Sequence, residues 1–161
     1  MKDILDKITS YNLFNNLLPG ILFVVILNKL TSYSFIQDDI IIGAFTYYFI
    51  GLIISRFGSL VIEPILKKVS LLKFADYTDF ISASKKDSSI EIFSEINNMY
   101  RSFVSMFILF ILFKLYELLS FKFLFLNSWS LYILILLLLL IFLLSYKKQT
   151  EYIKRRISVS K

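Results

Sequence analysis

Apolar residues fall into four long runs, at 13–30, 39–62, 102–120 and 129–146. Each is close to the ~20 residues a helix needs to cross a bilayer core of ~30 Å. The pattern predicts an all-α polytopic membrane protein with four transmembrane helices in two hairpins. The whole chain, 1–161, reads as one membrane domain. A cytoplasmic helical segment over 65–101 separates spans two and three, and a basic tail follows over 147–161.

The chain opens on a short amphipathic stretch over 2–12. Ile4, Leu5, Ile8 and Tyr11 recur at helical spacing there, which predicts a helix lying at the membrane surface. Asp3 and Asp6 interrupt its basic residues, and no small-residue cleavage site follows. The stretch is therefore expected to be retained rather than removed as a signal peptide. In the first span, Pro19-Gly20 predicts a loosened or kinked first half, tolerable only where neighbours satisfy the freed carbonyls. Asn15 and Asn16, just before it, fit either a helix start at headgroup level or a polar turn packed into the interior.

The second span is the most informative. It holds three of the chain's four glycines: Gly43, Gly51 and Gly58. Gly43, Tyr47, Gly51, Ser55 and Ser59 follow one another at i+4, a small-residue stripe interrupted once by Tyr47. Lipid offers no hydrophobic drive between helices, so small residues that let backbones approach mark contact faces. Gly43, Gly51, Ser55 and Ser59 are thus the expected helix-packing or oligomer face. Arg56 is the single arginine within an apolar run. It is either a snorkelling interface charge or an interior one, facing a pore or paired with Glu63 two turns on. Pro64 disfavours helical geometry at Glu63 and predicts a bend or boundary there.

The 65–101 segment divides at 84–89. Before it, Phe74, Tyr77 and Ile81 mark one helical face. After it, Ser88 with Glu91 reads as a capping box, and Ile92, Ile96, Met99 and Phe103 form a stripe that should run straight into the third span. Tyr77, Ile92, Ile96 and Met99 are the expected docking residues for a cytosolic partner, unless the segment simply packs on the protein's own base. Lys114 and Glu117 sit at i, i+3 in the third span, able to pair and expected to snorkel outward. The fourth span is almost pure Leu and Ile, with Trp129, Tyr132 and Tyr146 at its ends. This aromatic-belt pattern, without a small-residue stripe, predicts a lipid-facing periphery.

Composition agrees. Apolar residues are 57% of 161 and charged residues only 19%, and a soluble core of this length could not enclose that much Phe, Leu and Ile. The net charge of +6 is explained by topology. Fourteen basic residues fall on the side of the two termini and the 65–101 segment. Three, Lys29, Lys114 and Lys122, fall on the other, with Arg56 between. That asymmetry places both termini in the cytoplasm. It also argues against nucleic acid as a partner, because Tyr152 is the tail's one aromatic and offers no stacking platform. Membrane lipids are the expected surroundings.

With no cysteine and no histidine, thiol nucleophiles, Cys/His zinc sites and His-based triads are excluded. No phosphate loop or dinucleotide turn is present, so neither catalytic residues nor a cofactor are expected. The carboxylate pairs Asp76/Asp79 and Asp38/Asp39 read as solvated surface features.

The layout of four short spans, a basic helical cytoplasmic segment and a charged tail resembles the small four-span membrane components of bacterial anti-phage defence systems. Any shared motif would lie in the stretches LFNNLLPG and SRFGSLVIEP. The resemblance implies a bacterial inner-membrane protein that disturbs the membrane when a cytosolic sensor signals infection. The expected function is a homo-oligomeric pore or membrane-perturbing effector assembled through the Gly51–Ser55–Ser59 face, with Arg56 toward the shared interior. The alternative is an anchor or accessory subunit that recruits a cytosolic partner through 65–101.

Overall fold

The fold comes from a computed structural model that describes residues 13–160. All regular structure among them is helical. The surface helix expected over 2–12 lies outside the described residues. Five helices follow in order: α1 (Leu13–Leu30), α2 (Ile40–Lys68), α3 (Tyr77–Ser84), α4 (Ser89–Lys122) and α5 (Leu124–Ser160). All but α3 are long and apolar enough to cross a membrane.

Helix α2 starts where Asp39 turns its carboxylate onto the free amides of Ile41 and Ile42, at 2.8 and 2.9 Å. This side-chain cap satisfies two donors the helix leaves unpaired. The helix does not stop at Ile62, as the proline predicts. It continues through Glu63 and Pro64 to Lys68, and Glu63 keeps helical angles of φ −58° and ψ −47°. The reason is a π-helical turn over Gly58–Ile62 immediately before the proline. Its wider i→i+5 bonding makes room for the pyrrolidine ring that would strike the preceding turn of an α-helix. The other proline is handled alike, since Pro19 follows a π turn over Leu13–Leu17. The break expected at Pro19-Gly20 is thus a change of helical pitch at the start of α1. Two residues past the end of α2, Ser70 takes a φ of 58° and turns the chain away from the helix axis.

Helices α1 and α2 run antiparallel at very close range. A Cβ on Gly20 would overlap the carbonyl oxygen of Tyr47, and one on Gly51 would overlap that of Asn16. Tyr47 therefore interrupts the small-residue stripe in sequence but not in space. Its backbone makes the contact, while its hydroxyl accepts the Gln37 amide of the α1–α2 connection at 3.1 Å. The apolar core lies around Phe23 and Leu27 of α1, Ile54 of α2 and Met106 of α4, with Phe113 edge-on to Phe23 at 5.6 Å.

Helix α4 merges the second half of the 65–101 segment with the third span in one 34-residue helix. Its start differs from the expected capping box. Ser88 makes no capping bond, and Asp87 instead accepts the Ser89 amide at 2.9 Å, which holds the Asp87 carboxyl below its ordinary range. Helix α3 folds back on α4 and buries Ile81. The tail over 147–161 is no separate segment, because α5 carries it in the same helix as far as Ser160. The apolar stretch of α5 is not buried against the rest of the chain, in keeping with a lipid-facing periphery.

Candidate functional site

The π turn in α2 rotates everything beyond it by roughly a quarter turn relative to a continuous α-helix. Glu63 therefore leaves the Arg56 face and turns toward α4. There its carboxylate accepts Arg101 at 2.7 Å and, from its own helix, Lys67 at 3.0 Å. The Arg56–Glu63 pair expected from their spacing does not form. Arg56 is half-buried and makes no ion pair or hydrogen bond among the described residues.

Pro64 has a second consequence. In the π turn the Glu63 amide bonds the Gly58 carbonyl, five residues back. The Ser59 carbonyl would next bond the amide of residue 64, but proline has none. The partner comes from α5 instead, where Lys148 donates to the Ser59 carbonyl at 2.6 Å and to its hydroxyl at 2.7 Å. A proline in one helix has thus created the binding site for a lysine in another. Lys148→Met should destabilise the bundle by about 2 kcal/mol, the cost of leaving a buried acceptor unpaired. In a Pro64→Ala background, residue 64 regains its amide, and the same substitution should cost clearly less. Detergent unfolding curves of the four proteins measure that coupling.

Beside this cluster lies a small polar interior. Ser55 and Ser59 of α2, Ser102 and Ser105 of α4, and Asn15 and Asn16 of α1 are all buried. Of the two readings of the asparagine pair, the packed interior turn holds, with Asn15 only 1% exposed. Ser105 donates to the Arg101 carbonyl at 2.6 Å, and Gly58 has no Cβ because Ser105 occupies that space. Nothing here pairs a nucleophile with a base, and among the described residues no cluster of carboxylates could hold a metal ion.

A second latch closes the opposite end of the bundle. Lys114 and Glu117 pair at 2.6 Å, as their spacing allows, but Glu117 points inward rather than snorkelling out. It accepts the Ser32 amide at 2.6 Å, while Lys114 donates to the Leu30 carbonyl at 2.8 Å. Together they tie the α1–α2 connection to α4.

The expected packing face separates into different roles. Gly51 is covered by α1, Ser59 is held by α5, and Ser55 is buried between helices. Gly43 faces no other helix closely, and its nearest would-be neighbour is the Tyr47 ring at 3.4 Å. The Gly51–Ser55–Ser59 stripe is therefore taken up by contacts within one chain. The expected docking residues also divide. Ile92 and Ile96 are exposed on α4, joined by Phe93 and Tyr100, whereas Met99 is half-buried. Tyr77 is half-buried too, with its ring 6.4 Å from that of Tyr152 on α5. Sequence reasoning missed Arg101, Lys148 and Ser59 as partners in one site. No protein-family model matches the chain, and no curated protein or solved structure matches it.

Proposed function

We propose that this chain is a membrane anchor subunit whose cytoplasmic head recruits a soluble partner. The four apolar helices span the inner membrane of a bacterium as two hairpins, with both termini in the cytoplasm. The observation that carries this reading is the length and fastening of α4 and α5. At ~1.5 Å per residue they are about 51 and 55 Å long, some 20 Å more than a ~30 Å core requires. Where they leave the apolar zone, Arg101 and Lys148 fasten them to α2 through Glu63 and Ser59. A plain lipid anchor has no use for a rigid head held by desolvated charges. A platform for another protein does, and Ile92, Phe93, Ile96 and Tyr100 give it an exposed apolar stripe. The likeness to four-span anti-phage components accords with a cytosolic sensor as the partner.

A shared pore assembled through the second span, the function first expected from the sequence, has less support, because α1 covers Gly51 and α5 holds Ser59 on the face that would assemble it. The two are separated by which residues matter. Ile92→Glu with Ile96→Glu should abolish partner capture and leave the membrane-extracted protein folded. Arg56→Ala should change neither the unfolding free energy, beyond about 0.5 kcal/mol, nor membrane leak in cells. Photocrosslinking from position 93 in intact cells should give one discrete adduct with a soluble protein. Adducts only between copies of this chain, together with leak that depends on Arg56, would overturn the anchor reading in favour of the pore.

A further inference from the structure

Between the ends of α2 and α5 lies an open cleft of about 210 Å³, lined by Glu63, Lys67, Lys148, Glu151, Tyr152 and Arg155, with Pro64 on its wall. Its charge is unbalanced. Arg101 neutralises Glu63 from behind. Three cations, Lys67, Lys148 and Arg155, then face one remaining carboxylate, Glu151, an excess of two positive charges. The Arg155 guanidinium makes no hydrogen bond or ion pair among the described residues. Lys148 is fixed by Ser59 and stacks 5.8 Å from the Tyr152 ring, so its ammonium is held in place before anything binds.

The depth of the cleft says which anion it meets. Lys148 lies two residues past Tyr146, the aromatic that closes the Leu- and Ile-rich run of α5. In the reading of these helices as membrane spans, that is the headgroup layer. A fixed cationic cleft between two spans at this level suits a phosphate ester, whose oxygens accept from lysine and arginine together. We propose that the cleft binds the phosphodiester headgroup of an anionic phospholipid. Tyr152 would lie along the glycerol, and Arg155 would close over the phosphate. The lipid would neutralise charge that α2 and α5 otherwise hold against each other, and so would tighten the attachment of the head.

The full-length protein, extracted and reconstituted in nanodiscs of phosphatidylcholine with or without phosphatidylglycerol, tests this. Native mass spectrometry should show phosphatidylglycerol retained in preference to phosphatidylcholine, and the melting temperature should rise with it. Arg155→Gln should weaken that retention about fivefold, the equivalent of the ~1 kcal/mol contributed by one basic residue near anionic lipid. Arg156→Gln, one position along and outside the cleft, should not. Because the Arg155 guanidinium makes no hydrogen bond or ion pair among the described residues, its variant keeps the parent's stability, whereas Lys148 variants lose the bond to Ser59 as well as the charge. Equal retention of the two lipids, or equal loss from the Arg155 and Arg156 variants, overturns the proposal. So does inorganic pyrophosphate raising the melting temperature as much in pure phosphatidylcholine discs, which would make the ligand a soluble phosphate. Failure of these lipid effects leaves photocrosslinking from position 93 untouched, so the anchor reading is tested separately.

Discussion

Gly51→Ala is expected to cost the folded bundle at least about 3 kcal/mol, at or beyond the upper end for overpacked sites. The added methyl would overlap the Asn16 carbonyl, and that oxygen belongs to backbone in the opening turn of α1. A flexible side chain could move aside, but here a whole helix must. Asn16 would lose its side-chain bond to the Tyr48 hydroxyl in the same step, which adds an unpaired amide to the steric cost. Gly20→Ala strikes the Tyr47 carbonyl on the same interface and should behave alike. Gly43→Ala should be nearly neutral, because its methyl would find only ordinary van der Waals contact with the Tyr47 ring at 3.4 Å. Gly51→Leu should leave no folded monomer to extract. Three alanine variants compared by unfolding in mild detergent suffice. Equal tolerance at positions 43 and 51 would show that the α1–α2 crossing is looser than described. A drop in native mass on Gly51→Ala with the monomer still folded would return the stripe to an oligomer interface.

The four apolar runs are legible in the sequence because lipid demands both length and hydrophobicity, and few other structures do. The small-residue stripe is legible for the same reason, although the partner it meets is not. Gly51 in sequence looks the same whether α1 or another copy lies against it. Helix ends are less visible. Pro64 lawfully argues for a boundary, and only the π turn, for which the sequence has no marker beyond Gly58 nearby, lets α2 pass through it. That same turn defeats the i+7 arithmetic linking Arg56 to Glu63. Arg101 and Lys148 are hidden for a different reason. A cation at the end of an apolar run has one signature whether it points to water, to headgroups or into the bundle, and the topology rule accounts for all three. The signal that could have found Lys148 is the orphaned carbonyl that a mid-helix proline creates, which calls for a donor on a neighbouring helix.

Glu63→Gln is the second large effect expected. Among the described residues the carboxylate is the one anion bonded within this group of cations, which comprises Lys67 at 3.0 Å, Arg101 at 2.7 Å and Lys148, held by Ser59 on the adjoining turn. Neutralising it leaves three positive charges around an amide that can accept but no longer compensate them. Removing one partner of a fully enclosed pair costs 3–5 kcal/mol, and this cluster is partly open to the cleft, so about 2–3 kcal/mol is expected. Because the strain left behind is repulsion, it should be relieved by removing a cation. The double variant Glu63→Gln, Arg101→Gln should be more stable than Glu63→Gln alone, and the coupling between the two sites should exceed about 1 kcal/mol. The effect should also be directional along the chain. Arg101 and Lys148 join α4 and α5 to α2 at one end of the bundle, whereas Glu117 and Lys114 hold the other end independently. Hydrogen exchange in Glu63→Gln should therefore rise over 63–101 and beyond 147, and stay unchanged around 30–33 and 114–117. Additive losses in the double variant, or exchange rising equally at both ends, would mean that Glu63 does not fasten the head to the membrane helices.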